Sequence, residues 1–368
     1  MVEPILLETF DLCKGFPIKG GLFRKTVAEA KVLQQVNLQV PKGRIVSLVG
    51  ESGCGKTTFG RVITGLYPIN PNDGAVLFDA KPEEFDRFRE LWKERKSPEN
   101  GPTPHPEIEA LRRKYDFHKL SRTEQRQRCR ENQMVFQDPY GSLNPRFTVL
   151  NIVAEGLRIH KVFHSGPKGR KLELEFVQSI LERSGIDPST IHRYPHEFSG
   201  GQRQRLGIAR VLALRPKLVV LDEPVSALDV SVQIQIIDLF NELKREFDLT
   251  YIFIAHDLSI VDYFTDDIAV MYLGHIVEYG HKSVVNQNPL HPYTQALISA
   301  VPTHNPALRR KRIRLSGEIP SIVSLPTGCP FHTRCPHVMP ICREKKPPLR
   351  SLDDKAAGLS RKLACWKV

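Results

Sequence analysis

"GESGCGKT", Gly50 to Thr57, follows the apolar run "RIVSLVG" and leads into an apolar stretch of helical character. A Gly-x4-Gly-Lys-Thr pattern between a buried strand and a helix is a phosphate-binding loop, because its glycines let backbone N–H groups turn inward around phosphate oxygens. The helix N-terminus adds partial positive charge. The candidate ligands are therefore Gly50, Glu51, Ser52, Gly53, Cys54, Gly55, Lys56, Thr57 and Thr58. Lys56 is placed for the outer phosphates, Thr57 for Mg2+ and Thr58 for an inner phosphate. Cys54 reads as a small packing residue.

Hydrolysis needs acids near the metal, and "LVVLDEP" places Asp222 and Glu223 at the end of another buried strand. Asp222 suits Mg2+, and Glu223 is positioned to orient or deprotonate the attacking water. Gln137, in "VFQDP", follows a further short strand, where a neutral amide can contact Mg2+ or water. His256, after the strand "YIFIA", can donate to the γ-phosphate. Strands and helices alternate through this region, which predicts a parallel α/β sheet closed by the hairpin "DIAVMY" and "HIVEYG".

The chain has 368 residues, 40% of them hydrophobic, enough for a packed core. No apolar run approaches the roughly 18 residues of a membrane span, and "MVEPILLETF" lacks a signal-peptide pattern, so the chain reads as cytosolic. A net charge of +12 permits nucleic acid, anionic lipid or a polyphosphate ligand. Between residues 81 and 132 the composition becomes heavily charged. Phe85, Phe88, Leu91 and Trp92, then Ile108, Leu111 and Tyr115, recur at helical spacing. "SRTE", Ser121 to Glu124, resembles a capping box. This predicts a helical insertion with a loop at Pro98, Pro102, Pro104 and Pro106, and a mostly helical region at about 148–214. Past residue 280 the composition shifts to Pro, His, Arg and Cys, including the basic run "LRRKRIR", Leu308 to Arg314, which reads as solvated.

A second anion-binding turn lies in "FSGGQRQR". Ser199, Gly200, Gly201 and Gln202 open a basic helix with free N–H groups. This stretch is similar to the signature of ATP-binding cassette (ABC) ATPases. The order "GESGCGKT", "FQDP", "FSGGQRQR", "LVVLDEP", "SALD", "AHD" resembles that family through residues 1–280. The resemblance implies a P-loop NTPase (RecA-like) α/β core with an antiparallel β subdomain and a helical signature subdomain. It also implies that ATP is sandwiched between two subunits, with Ser199, Gly201 and Asp229 reaching the nucleotide held by the partner. Phe16, with Phe23 as the alternative, is the aromatic chosen to stack on adenine.

"NPLHPYTQALISAVP", "GEIPS", "GCPFHTRCP" and "FQDPYGSLNPR" resemble the ATPase subunits of dipeptide, oligopeptide and nickel importers. That branch implies a C-terminal extension over 281–368, two membrane permease subunits, a second ATPase subunit (a heterodimer favoured over a homodimer), an extracytoplasmic solute-binding protein, and a peripheral place on the cytoplasmic face of the membrane. Peptide is the expected cargo, with nickel or oligosaccharide as alternatives. A nucleic-acid-linked cassette ATPase is the competing class, but repair types insert long coiled coils and translation types carry two cassettes. This chain does neither, so no nucleic-acid partner is expected. Cys329, Cys335, Cys342 and Cys365 supply four thiolates. They read as ligands of a [4Fe-4S] cluster, with zinc as the alternative and unligated or disulfide-bonded cysteines also open.

Overall fold

The computed structural model of the chain describes residues 3–20, 25–69, 73–95, 105–301, 312–354 and 359–368. They fall into two compact units, one formed by 1–120 with 254–368 and the other by 121–253. Pro98, Pro102, Pro104, Phe23 and Leu308 to Lys311 lie outside the described residues.

In the first unit the strand Ile45–Val49 is buried on every residue, as its largely apolar run requires, and its one polar residue, Ser47, donates to the Asp267 carbonyl at 3.2 Å. It pairs in parallel with Asp267–Tyr272, Val49 opposite Val270. Asp267–Tyr272 turns back antiparallel into His275–His281, the hairpin expected from sequence. The sheet continues beyond that hairpin, because Leu359–Leu363 pairs antiparallel with His275–His281 and Arg350–Asp354 pairs with Leu359–Leu363. The junction is tied by charge. The Glu278 carboxylate is fully buried and accepts from the Leu290 and His291 amides and from Nε of Arg361 at 3.0 Å.

The same unit holds a three-stranded antiparallel sheet in which Ile5–Phe10 lies between Gln39–Pro41 and Ala75–Phe78. A long ribbon, Leu12–Gly20 with Lys25–Val36, extends from it in sequence. The helix Pro82–Glu94 starts with proline and carries Glu83 and Glu84 in its first turn, which suits the helix dipole. Its Phe85, Phe88, Leu91 and Trp92 pack with Phe10, Ala75 and Leu77, joined by Ile108 and Tyr115 of the helix Pro106–Tyr115. Trp92 places its indole N–H 2.7 Å from Asp11 Oδ2, so the ring is buried without losing its donor's partner. Arg112, also buried, donates to Asp116 and to the Gly74 carbonyl, both at 2.9 Å.

In the second unit Ser121 and Glu124 bond each other's backbone N–H, forming the reciprocal cap that opens Arg122–Glu131. That helix leads into Asn132–Val135, which lies parallel to the fully buried strand Leu218–Asp222. The helices Val149–Ile159, Pro167–Arg183 and Gly200–Leu212 occupy most of 148–214. The helix Val230–Phe247 starts at Asp229 and stops at Asp248, which takes the left-handed conformation. No described helix is long and apolar enough to cross a membrane.

Candidate functional site

In the first unit the strand Ile45–Val49 delivers the phosphate loop to the helix Lys56–Ile63. Gly50 lies so close to the next strand that a Cβ there would sit 2.2 Å from the Met271 carbonyl oxygen, so glycine is required for packing. Gly53 has φ +79° with open space around it, which turns the loop without a neighbour forcing it. Lys56 is only 6% exposed, and its ammonium donates to the Gly50 and Glu51 carbonyls at 2.8 and 3.1 Å. The loop thus holds its own cation against two of its own carbonyls. Cys54 is buried, and burial pushes its thiol up against the opposing influence of Lys56. That environment agrees with a packing role.

Phe16 sits half-buried on the ribbon strand Leu12–Gly20, edge-on to Tyr67 at 5.4 Å with the Lys14 ammonium 5.1 Å from its ring centroid. An aromatic held by a second aromatic and a cation suits a stacking surface. Tyr67 was not singled out from sequence, since a tyrosine four residues past a helix carries no motif. His256 follows the strand Thr250–Ala255 and is exposed. Behind it Asp257 caps the short helix Leu258–Phe264, accepting from the Ser259 amide at 2.8 Å.

In the second unit Asp222 ends its strand at 1% exposure, and Glu223 follows with φ +45°. That region is rarely taken by a residue with a side chain and costs of order 1–3 kcal/mol. Ser226 holds the turn, donating to the Glu223 carbonyl from its amide at 3.2 Å and its hydroxyl at 3.1 Å. Gln137 Nε2 donates to Glu223 Oε2 at 2.9 Å, so the two residues read as water-positioning groups from distant motifs meet.

The signature turn is built differently. Ser199 caps the helix Gly200–Leu212 through its hydroxyl and the Gln202 amide, while the Gln202 side chain accepts from the Ser199 amide at 3.0 Å. Ser199 and Gln202 are exposed. Asp229 is exposed too, and bonds from the Ser231 hydroxyl and the Val232 amide hold its carboxyl below the usual aspartate range. Directly after it Val230 and Ile234, four apart on one helix face, are 72% and 54% exposed. The Arg203 guanidinium lies 3.9 Å from the Tyr140 ring centroid, and Arg210 donates to the Ser142 carbonyl. The signature helix is thereby fastened to the segment that follows Gln137. Sequence reasoning missed this link because arginines on a helix read first as solvated charge.

In the tail, Cys329 and Cys342 are buried and Cys335 and Cys365 half-buried. Burial, and then the neighbouring thiols of Cys342, Cys365 and Cys335, push the Cys329 thiol up to about 11. The four gather in one neighbourhood, but they differ from the expected metal centre. Among the described residues no three His, Cys, Asp or Glu side chains form a group arranged to hold a metal ion.

Comparison with known proteins agrees with this geometry. A family model described as "ABC transporter" matches residues 33–226. The chain belongs to the ABC transporter family. A second model, "Oligopeptide/dipeptide transporter, C-terminal region", matches residues 277–342, which places this ABC ATPase among the ATP-binding subunits of that branch. The "Oligopeptide transport ATP-binding protein AppF" of Bacillus subtilis is 44% identical, with 99% of this chain and 97% of the relative covered. The protein of the same description named OppF, from Salmonella typhimurium, is 43% identical over 99% and 96%. Among solved structures, the dimeric cassette MJ0796 superposes with TM-score 0.55 at 23% identity, covering 74% of this chain and 96% of that one. The cbiO1 protein of Clostridium perfringens gives 0.54 at 25%, over 78% and 92%. Both show the ABC ATPase fold.

Proposed function

We propose that this ABC ATPase energises the import of peptides through two separate membrane permease subunits, closing on ATP against a second ATPase subunit and reopening after hydrolysis. The observation that carries the reading is the exposed signature turn. Ser199, Gly200, Gly201 and Gln202 present a helix N-terminus and Asp229 a carboxylate to solvent, with Val230 and Ile234 uncovered beside them. Such a surface suits a partner that brings nucleotide to it. A heterodimeric partner is our reading, and the relatives' names support oligopeptide over nickel or oligosaccharide as cargo. The site of action is the cytoplasmic face of the membrane.

In this reading residues 1–280 form the ATPase domain, with a helical insertion at about 81–132 and the helical subdomain at about 148–214, and 281–368 form the cysteine-containing extension. The loop amides and Lys56 bind and orient the ATP phosphates, Phe16 stacks on adenine, and Thr57, Gln137 and Asp222 hold Mg2+. Their hydroxyl, amide and carboxylate oxygens match a hard cation, which when bound neutralises phosphate charge. Glu223 takes the proton of the attacking water, Gln137 fixes the Glu223 carboxylate, and His256 donates to the γ-phosphate. The segment from Gln137 to Leu150 receives the permease, and Arg203 on Tyr140 connects that contact to the signature helix. In the tail, Cys329, Cys335, Cys342 and Cys365 gather without an arrangement that holds a metal ion among the described residues, so this reading assigns no role to a [4Fe-4S] cluster or to zinc there; iron, sulfide and zinc analysis of anaerobically purified protein checks it.

The central test is turnover per chain against protein concentration. A rate that falls on dilution and recovers with the partner subunit supports a shared site, whereas full activity in monomers defeats it. In the assembled transporter, stimulation by peptide-loaded binding protein is expected, and equal stimulation by nickel would redirect the cargo assignment.

A further inference from the structure

The second residue of the phosphate loop is a glutamate, an awkward charge beside a site for polyphosphate. Its carboxylate does not face the loop alone. Arg334 donates to Glu51 Oε2 from Nη1 at 2.7 Å and to Oε1 from Nη2 at 3.1 Å, a two-pronged contact 283 residues apart in sequence. Arg334 itself is 8% exposed and belongs to a turn whose neighbours are Cys329, Phe331 and Cys335. Its amide donates to the Phe331 carbonyl at 3.0 Å, and Phe331 packs against Tyr272 and Tyr293 at 5.2 and 5.5 Å. Tyr293 is fully buried and takes the Glu51 amide proton on its hydroxyl oxygen at 2.8 Å. Glu51 is thus held at three points, by Arg334 on its side chain, Tyr293 on its amide and Lys56 on its carbonyl.

A buried guanidinium is expensive, and here Nε is buried with no hydrogen-bond partner among the described residues, so packing alone does not account for it. What the arrangement accomplishes is electrostatic and geometric together. The fork cancels the one negative charge of the loop and fixes the residue whose carbonyl parks the Lys56 ammonium. We propose that Arg334 is a positioning residue for nucleotide binding, through which the C-terminal cysteine turn sets the affinity of the phosphate loop by clamping and neutralising Glu51. The proposal rests on Gly50 to Thr57 being the nucleotide loop.

The experiment measures equilibrium binding of ATP and steady-state kinetics on the full-length chain. Arg334→Gln uncovers the Glu51 charge and weakens binding roughly tenfold, the factor that corresponds to about 1.4 kcal/mol. KM rises accordingly, while kcat at saturating ATP changes less. Removing the charge as well, in Glu51→Gln with Arg334→Gln, restores affinity to within about threefold of the parent, a rescue that a merely structural arginine would not show. An Arg334→Gln variant with parental affinity, or a double variant whose losses add, overturns the proposal. If Arg334→Gln does not fold, Arg334→Lys, which keeps charge but loses the fork, must show an intermediate affinity, and parental affinity in it counts against the proposal. Lys56→Ala separates the two layers, because retained ATP binding in that variant refutes the loop as nucleotide site and leaves the clamp without a function.

Discussion

The phosphate loop and the signature turn are both glycine-bearing entrances to a helix, yet the first is gripped by residues distant in sequence, whereas the opening turn of the second is held by its own capping pair. Gly50 abuts the Met271 carbonyl, Lys56 spans two loop carbonyls, and Arg334 and Tyr293 grip Glu51 from elsewhere in the unit. Ser199 and Gln202 cap each other reciprocally, and both are exposed. The first geometry is finished within one chain. The second leaves its capping residues in solvent, as the proposed shared active site would require.

The comparison breaks most visibly at Glu223. Glu223→Gln should lower ATP turnover by roughly 10²–10⁴, about 3–5 kcal/mol in barrier, while nucleotide binding persists because the braced loop is untouched. Near-parental turnover would remove Glu223 from the water-activating role. Comparable in size is the brace behind the first unit. Arg361→Met strands the fully buried Glu278 carboxylate and should cost about 3–5 kcal/mol of stability by denaturant unfolding. A loss below about 1 kcal/mol would mean that the tail strand is not tied there.

The two glycines provide a sharper pair. Gly50→Ala forces a methyl against backbone, so ATP affinity should fall about a hundredfold, roughly 2.7 kcal/mol. Gly201→Ala meets only the Val232 side chain, at 2.7 Å, which can rotate, so the chain should bind ATP normally. Equal losses in the two variants would erase the distinction drawn between the turns.

Acid should separate the units next. Burial holds His291 at about 3, against about 6.5 in an unfolded chain, and its Nδ1 accepts the Tyr293 amide. The folded state therefore binds fewer protons between those values. Its stability is complete above pH 6.5 and declines as pH falls, by about 2 kcal/mol at pH 5. His291→Asn keeps an acceptor that does not titrate, so its melting temperature should drop less between pH 7 and pH 5; an unchanged drop assigns the acid sensitivity elsewhere. Smallest in stability is Ile234→Asp, expected within about 0.5 kcal/mol of the parent because the side chain is exposed. Its effect should appear instead as lost ATP-dependent pairing by light scattering. Retained pairing would move the interface away from the start of the helix Val230–Phe247.

Legibility in the sequence followed the same division. Contiguous motifs were readable because local chemistry dictates them: the strand before Gly50, the buried run ending at Asp222, the Ser121–Glu124 cap and the apolar spacing of Phe85 to Trp92 all depend on neighbours in the chain. Contacts across long separations were not. The approach of Gln137 to Glu223 could be suspected from shared chemistry, but nothing local indicated that Arg334 would meet Glu51 or that Tyr67 would back Phe16. Four cysteines in the tail point to metal ligation, and nothing in the local sequence marks the arginine between Cys329 and Cys335. The addition of Leu359–Leu363 to the sheet was hidden for a related reason, since "LSRKL" lacks strict alternation and its buried Arg361 becomes tolerable only beside Glu278.

That last pairing has a consequence for biosynthesis. On the ribosome, His275–His281 emerges 83 residues ahead of the guanidinium that neutralises its acid. At translation speeds of about 5–20 residues per second, the nascent protein waits roughly 4–17 s with an open sheet edge and an uncompensated carboxylate. Until Leu359–Leu363 has been made, nothing in this pairing covers that strand edge, so its closure waits on synthesis of the tail strand.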